Sequence, residues 1–381
     1  MEDESPNLPK VISLTNDYYQ NLLGYSVQDT KLKSIKGEQW NSFCQKSNLN
    51  HNSSGIYLPR NKTAIIPKNN KLSLFHEYFG HGLYCEKSLS GRKLVDLEKR
   101  LLEEEKLEFS NSRFTLDDIQ RFRKRNQTFQ ELDEFRKQNL GIYEGFAIWT
   151  EFLLSGQFNL REIFERKYDS LNLENKAVID EMINFNKQYG NLATFYEFGL
   201  ARKTTPERVK KLLEDIYGKE AINNSKLVLL TGSKKSFSDI DLFASSNYLQ
   251  SIKNSWLDLV VFDEKDFEKK VRLFEVQVIH PIINGEFVIG DKNYLEQKRK
   301  QLEEQPITEE AIQHNLKLSK EQEELGLKYS RNSKERQIGL SYGKTYLANA
   351  LALKNGKRPL TKERLSNLQC KKFIELKGGM K

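Results

Sequence analysis

Cysteine is nearly absent from this chain. Its 381 residues hold three, Cys44, Cys85 and Cys370, too few and too scattered for a disulfide framework. None falls in a C-x-x-C pair. That pattern suits a reducing compartment, so the expected location is cytoplasmic. No apolar run approaches the ~20 residues a membrane crossing needs. The opening MEDESPNLPK is acidic and has no apolar stretch of the kind a secretory leader carries. No membrane partner is therefore expected. Repeats and low-complexity tracts are missing too. Histidine is scarce, at five, which makes it notable that two lie in one hexapeptide. What abounds is charge: Lys plus Arg number 61 against 53 Asp plus Glu, a net +8, with 30% charged and 38% apolar residues. Such a composition is that of a soluble globular protein, and the mild basic excess is compatible with a nucleotide or nucleic-acid partner.

The length accommodates two or three domains, and the local patterns divide the chain accordingly. Residues 55–67 read as one or two short strands bounded by Gly and Pro, and 71–87 as a helix. A strongly charged stretch follows, with Leu94, Leu97, Leu101 and Leu102 on one helical stripe and a Thr115/Asp118 capping box opening another. It reads as a solvated helical hairpin inserted at 90–140 or as a lid over the neighbouring site, with Gly141 ending its second helix. Residues 142–154 read as a buried helix, and a last helix runs from cap Thr205 and Pro206 to Gly218. Beyond Gly218 the texture becomes strand-rich: 226–231, 239–244, 256–262, and one or two more strands within 272–289 with a turn at Asn284-Gly285. From about Tyr294 the chain is helical, interrupted at Pro306 and Pro359, with a scatter of basic residues (Arg331, Lys334, Arg336, Lys344, Lys354, Lys357, Arg358) that suits a solvated face or an RNA surface. The expectation is a multidomain α+β protein: a helix-rich domain over 1–219, an α/β core over 225–292 and a helical region over 293–381.

The hexapeptide is His76-Glu77-Tyr78-Phe79-Gly80-His81. A hydrolytic zinc site needs three protein ligands, an open position and a nearby base. The usual H-E-x-x-H sets its histidines four apart on one helical face. Here they are five apart, which at 3.6 residues per turn separates them by about 140°. A π-type bulge would bring them together, and Gly80 offers backbone freedom where it is needed. The run resembles the lengthened motif H-E-x-x-G-H of dipeptidyl peptidase III and the H-E-x-x-x-H of the tubulin tyrosine carboxypeptidases and their bacterial relatives. In the second group an E-G-x-A helix supplies the third ligand, and Glu144-Gly145-Phe146-Ala147 is similar to it. The resemblance, over roughly residues 55–156, implies a gluzincin-like peptidase domain with zinc on His76, His81 and Glu144 and with Glu77 activating water. Sixty-two residues separate His81 from Glu144, more than in the carboxypeptidases. Residues 62–67 are a candidate edge strand for aligning a peptide or protein substrate. Glu151, seven residues after Glu144, is either a carboxylate behind a ligand histidine or an ordinary glutamate. For the oxyanion, Tyr143, Tyr189, Tyr196 and Arg202 are available, and Tyr196 and Arg202 rank first because they flank a glycine-containing loop.

A second constellation lies at 231–258. Thr231-Gly232-Ser233 ends one strand, Asp239-Ile240-Asp241 opens the next, and Asp258 sits in a third. Carboxylates two apart share one strand face and reach the same Mg²⁺ ions, a third completes the set, and Gly232, Ser233 and Lys234 present amides and charge to phosphates. This arrangement resembles the core of a minimal nucleotidyltransferase, with a shorter loop between Gly-Ser and Asp239 than is usual. The resemblance implies Mg²⁺ on Asp239 and Asp241, Asp258 activating the attacking hydroxyl, an NTP substrate, and a protein, RNA or small-molecule acceptor. His280 and His314 have no ligand neighbours at useful spacing and read as structural. Three functions stay open: a zinc peptidase fused to a nucleotidyltransferase, a peptidase with a nucleotide-sensing domain, or a nucleotidyltransferase with a structural metal domain.

Overall fold

The computed structural model describes residues 7–47, 49, 54–110, 115–169, 173–331, 333–358 and 365. Cys370 and the break expected at Pro359 lie outside them. The chain divides into two compact units. The first runs to Lys203 and takes in Lys235–Phe237; the second comprises Thr204–Lys234 and the chain from Ser238. The division thus falls before the 206–217 helix rather than at 219, and the second unit takes in both the strand-rich stretch and the helices after it.

In the first unit, α1 (Leu8–Leu23) is held at both ends by local chemistry: Asn7 caps its start and Gly24, at φ 81°, turns the chain out of it. Then come β1 (Lys31–Ile35), α2 (Gly37–Lys46), β2 (Ile56–Leu58) and β3 (Thr63–Pro67). These strands form one sheet in the order β1-β3-β2, with β1 parallel and β2 antiparallel to β3. The 62–67 strand is therefore central, hydrogen-bonded on both sides, and its Ala64, Ile65 and Ile66 are buried, so it has no free edge for a peptide. The edges are β1, whose alternation is too polar to announce a strand, and β2.

The motif helix follows as α3 (Lys71–Ser73), a π-helical segment Leu74–His81, and α4 (Gly82–Lys87). Next are α5 (Leu89–Phe109), α6 (Leu116–Arg125) with the expected Thr115/Asp118 capping box, and α7 (Gln127–Gln157). Helix α7 runs unbroken through Gly141. That glycine is exposed with open space around it, and one glycine costs a helix only ~1 kcal/mol. The charged hairpin is consequently the far half of an α5/α7 pair. Leu94, Leu97, Leu101 and Leu132 are buried along it, and Arg136–Glu98 (2.5 Å) and Lys93–Glu131 (3.2 Å) pair across it. Helices α8 (Arg161–Asp169) and α9 (Leu173–Glu197, kinked at Gly190) complete the unit. An aromatic core joins α7 and α9, with Trp149 edge-on to Phe195 at 4.7 Å and Phe146 against Phe198 at 5.2 Å. Tyr19 links α1 to Phe79 of the motif helix.

In the second unit, α10 (Pro206–Tyr217) has the cap, first-turn proline and terminal glycine that the sequence announces. It is followed by α11 (Lys219–Asn223), β4 (Leu227–Thr231), β5 (Ile240–Ser245), β6 (Ile252–Lys253) and β7 (Leu257–Phe262). Then come α12 (Glu264–Arg272), α13 (Val276–Asn284), β8 (Glu286–Gly290), α14 (Lys292–Glu304), α15 (Glu309–Leu327) and α16 (Lys334–Lys354). Residues 276–284 are helical and not a strand. A short apolar run does not separate a buried strand from a buried helix, and only the part after Gly285 pairs with the sheet. The sheet order is β6-β7-β5-β4-β8, with β5 and β7 parallel and the other pairs antiparallel. Leu227, Leu229 and Phe243 project from one face into a core with Phe267, Val271, Ile279 and Leu295. Among the described residues no helix is long and apolar enough to cross a membrane.

Candidate metal centre and carboxylate cluster

The π-helical geometry of Leu74–His81 supplies the extra residue per turn that a five-residue spacing requires. His76 and His81 meet edge to face, ring centroids 4.8 Å apart at 87°. Gly80 is not there for conformational freedom, since its φ is not positive. It is there for closeness: a β-carbon on it would lie 2.7 Å from Ala147 Cα and 2.9 Å from Ala147 Cβ. The E-G-x-A run is explained residue by residue. Glu144 faces the histidines, Gly145 makes room for Val178 of α9 (2.7 Å from an added β-carbon), and Ala147 lies under Gly80.

His76, His81 and Glu144 each bring one ligand atom within 4.8 Å of the others. His76 Nε2 lies 3.6 Å from Glu144 Oε2, and His81 Nε2 lies 3.7 Å from Glu144 Oε1. These separations are long for hydrogen bonds. They match the edges of a tetrahedron around a zinc ion, ~3.4 Å for bonds of about 2.0–2.2 Å. The donor set of two imidazoles and one carboxylate is that of a catalytic zinc site, and the Glu144 side chain, one-third exposed, leaves an open side. The residues fit the ion the sequence implies.

The electrostatics suit a cation as well. Burial disfavours charge on His76, but Glu144 and Glu151 outweigh it and lift its pKa to about 10. Burial drops His81 to about 3, helped by the neighbouring charge of His76 and only partly opposed by Glu144. Burial opposes the charge on Glu144, yet the neighbouring imidazoles of His76 and His81 hold it at about 2. Glu77 is buried and its carboxyl is pushed up to about 7, mainly by desolvation. It lies against Gly55, where a β-carbon would sit 2.6 Å from Glu77 Cγ. Behind the ligands, His76 Nδ1 meets Glu151 Oε2 at 3.1 Å, and both Glu151 oxygens accept from Lys167 Nζ at 2.8 Å. Glu151 is fully buried and its pKa is lowered against the burial cost by His76 and Lys167. Tyr143 stacks on His81 at 4.0 Å and 20°. Tyr196 and Arg202 are both buried, with the Arg202 guanidinium 5.9 Å from the Tyr196 ring centroid. Gly55, Tyr143 as a ring packed on a ligand, and Lys167 carry no motif that would single them out in the sequence.

In the second unit the β5/β7 register pairs Asp241 with Asp258, and β4 pairs Thr231 with Asp241. Asp239 joins them to form a carboxylate group whose atoms all lie within 4.8 Å. Gly232 needs to be glycine twice over. Its φ is +70°, and a β-carbon would fall 1.9 Å from Asp241 Oδ2. The Ser233 backbone N–H donates to Asp241, while burial and the carboxylates of Asp239 and Asp258 raise the Asp241 pKa. Lys253 pairs with Asp258 at 2.9 Å, and Lys234 pairs with Glu286. A cavity of about 200 Å³ lies beside them, lined by Thr231, Phe243, Val260, His280, Tyr342 and Tyr346 among others. Phe243 and Val260 follow Asp241 and Asp258 by two residues, so all four side chains share one sheet face. His314 is engaged with the buried Glu275 at 2.7 Å.

Compared with protein-family models, with curated proteins and with solved structures, the chain matches none.

Proposed function

We propose that the first unit is a zinc-dependent peptidase. The observation that carries this reading is the pair of Nε2–carboxylate separations, 3.6 and 3.7 Å, that His76 and His81 make with the two oxygens of Glu144. A bound zinc ion would supply Lewis acidity to a scissile carbonyl and acidify a water at neutral pH. Glu77, with a carboxyl near 7, is matched to accept that water's proton and return it to the leaving amine. Glu151 accepts from His76 Nδ1 and so leaves Nε2 facing the cluster. The outer edge of β2 starts beside Gly55 and therefore beside Glu77, which makes it the candidate rail for an extended peptide. Tyr196 and Arg202 are the proposed donors to the oxyanion, and both side chains are buried. The test is peptide hydrolysis by Glu77→Gln: turnover should fall by roughly 10²–10⁴-fold with zinc still bound. Normal turnover would remove Glu77 as base.

A second reading applies to the second unit, favoured by the Asp241–Asp258 register and the nearby Asp239. We infer Mg²⁺-dependent transfer of a nucleoside monophosphate from an NTP to a protein, RNA or small-molecule acceptor. Asp239 and Asp241 would hold the ion, Asp258 would take the proton of the attacking hydroxyl, and Gly232, Ser233 and Lys234 would face the phosphates. Transfer of label from an α-labelled NTP, absent in Asp239→Ala with Asp241→Ala, tests it. No transfer from the unaltered protein to any acceptor would leave a sensing role for this unit.

A further inference from the structure

We propose that Tyr143 orients His81 for metal binding through the flat face of its ring, in place of the hydrogen-bonded partner that a ligand histidine ordinarily has. The proposal rests on the metal-centre reading above.

The two histidines are held differently. A metal-binding imidazole almost always donates its second N–H to a carboxylate, a carbonyl or a water. His76 follows that rule, with Glu151 at 3.1 Å from Nδ1. His81 does not: its Nδ1 is buried and has no hydrogen-bond partner among the described residues. Its ring is 5% exposed, so packing has to fix its rotation. The ring nearest to it is Tyr143, stacked face to face with it at 4.0 Å and 20°. His76 closes another side edge-on at 4.8 Å, and Tyr57 stands further off at 6.2 Å. Rotating His81 part-way about its Cβ–Cγ bond would drive its edge into the Tyr143 face, so the stack fixes the plane of the ring, and it is in this plane that Nε2 lies 3.7 Å from Glu144 Oε1.

Tyr143 directly precedes Glu144 on α7. One helical turn thus delivers a ligand and the plate that steadies a second ligand on the other helix. The phenol hydroxyl lies near the buried Cys85 thiol, and it is the face of the ring that meets His81. Tyr143 is on this account a positioning residue, acting through His81.

The test is zinc affinity of the full chain, measured by competition with a chromophoric chelator, together with the absorption spectrum of the Co²⁺-loaded protein and thermal unfolding of the metal-free protein. Tyr143→Phe keeps the flat face and is expected to bind zinc within about twofold of the unaltered protein, with an unchanged Co²⁺ spectrum. Tyr143→Leu fills similar space without a plane and is expected to bind roughly tenfold more weakly or worse, the loss typical when a ligand's support is removed, with a shifted Co²⁺ spectrum. Should the Leu variant not fold, Tyr143→Met carries the same expectation. Zinc affinity and spectrum unchanged in the non-planar variant would overturn the proposal, as would a Phe variant as weak as the Leu variant. His81→Ala separates the premises: if it binds zinc as tightly as the unaltered protein, the metal-centre reading itself is wrong.

Discussion

Gly80 and Ala147 touch backbone to backbone where the motif helix crosses α7, with no room for a β-carbon between them. This contact, and not the glycine's freedom, sets the distance between the two histidines and Glu144.

Gly80→Ala should therefore force the helices apart at the metal centre. Overpacking of this kind costs about 1–3 kcal/mol. The expected result is a lower unfolding temperature together with weaker zinc binding. Unfolding midpoints and chelator competition on the same preparation check both; an unchanged zinc affinity would mean that the crossing does not govern ligand spacing.

Zinc loading should release roughly one to two protons at pH 7, one from His76 and a fraction from Glu77, whose carboxyl near 7 is partly protonated before the ion arrives. In the metal-free protein His76 is charged up to about pH 10, whereas His81, near 3, is already neutral and Glu144, near 2, already ionised. A metal ligand must be deprotonated, so zinc competes with the His76 proton and affinity should rise as pH rises. Calorimetric titration in buffers of different ionisation enthalpy measures this, and buffer-independent heats would contradict it.

Glu77→Gln should reduce peptide hydrolysis by roughly 10²–10⁴-fold, the usual span for a general base, with zinc content unchanged. The base works in its ionised form, so the rate should climb as pH rises through its pKa. That value is about 7 without metal, and a nearby dication draws it lower. The ascending limb of the profile should accordingly lie at or below 7 and be missing from any residual activity of the variant.

Much of this was legible in residue identity and local spacing. The capping box at Thr115/Asp118 and the Thr205-Pro206…Gly218 punctuation are local chemistry, and they mark elements the structure contains. The spacing of His76 and His81 calls for a π-type turn, and the segment is π-helical. What escaped depends on segments meeting in space. Lys167 reaches Glu151 from a different helix, Gly55 abuts Glu77 across the chain, and β1 completes a sheet whose middle strand looked like an edge. Gly141 has the residue type of a helix stop, but a single exposed glycine costs too little to break a helix packed on both sides of it, and the apolar run at 276–284 carries no period that separates helix from strand.

Gly232→Ala should disable the carboxylate cluster without unfolding the second unit. The new methyl would collide with Asp241 Oδ2 and the positive φ would be strained, a cost of about 1–3 kcal/mol in total. Mn²⁺ binding followed by paramagnetic relaxation of water should fall to the level of Asp241→Ala. Binding equal to that of the unaltered protein would separate Gly232 from the ion site.

Glu86 accepts from three successive backbone N–H groups, at Gln28, Asp29 and Thr30, and from the Thr30 hydroxyl. Glu86→Ala should cost about 3–5 kcal/mol by leaving these donors unpaired, read as a drop in the denaturation midpoint. A change of less than 1 kcal/mol (on the order of a surface substitution) would show that water replaces the carboxylate.

The metal content of the purified protein tests the central claim most directly. Elemental analysis should find one zinc per chain, lost in His76→Ala and in Glu144→Ala and retained in Glu77→Gln. A metal-free protein that takes up no zinc on titration, or one whose zinc survives both ligand substitutions, would contradict it.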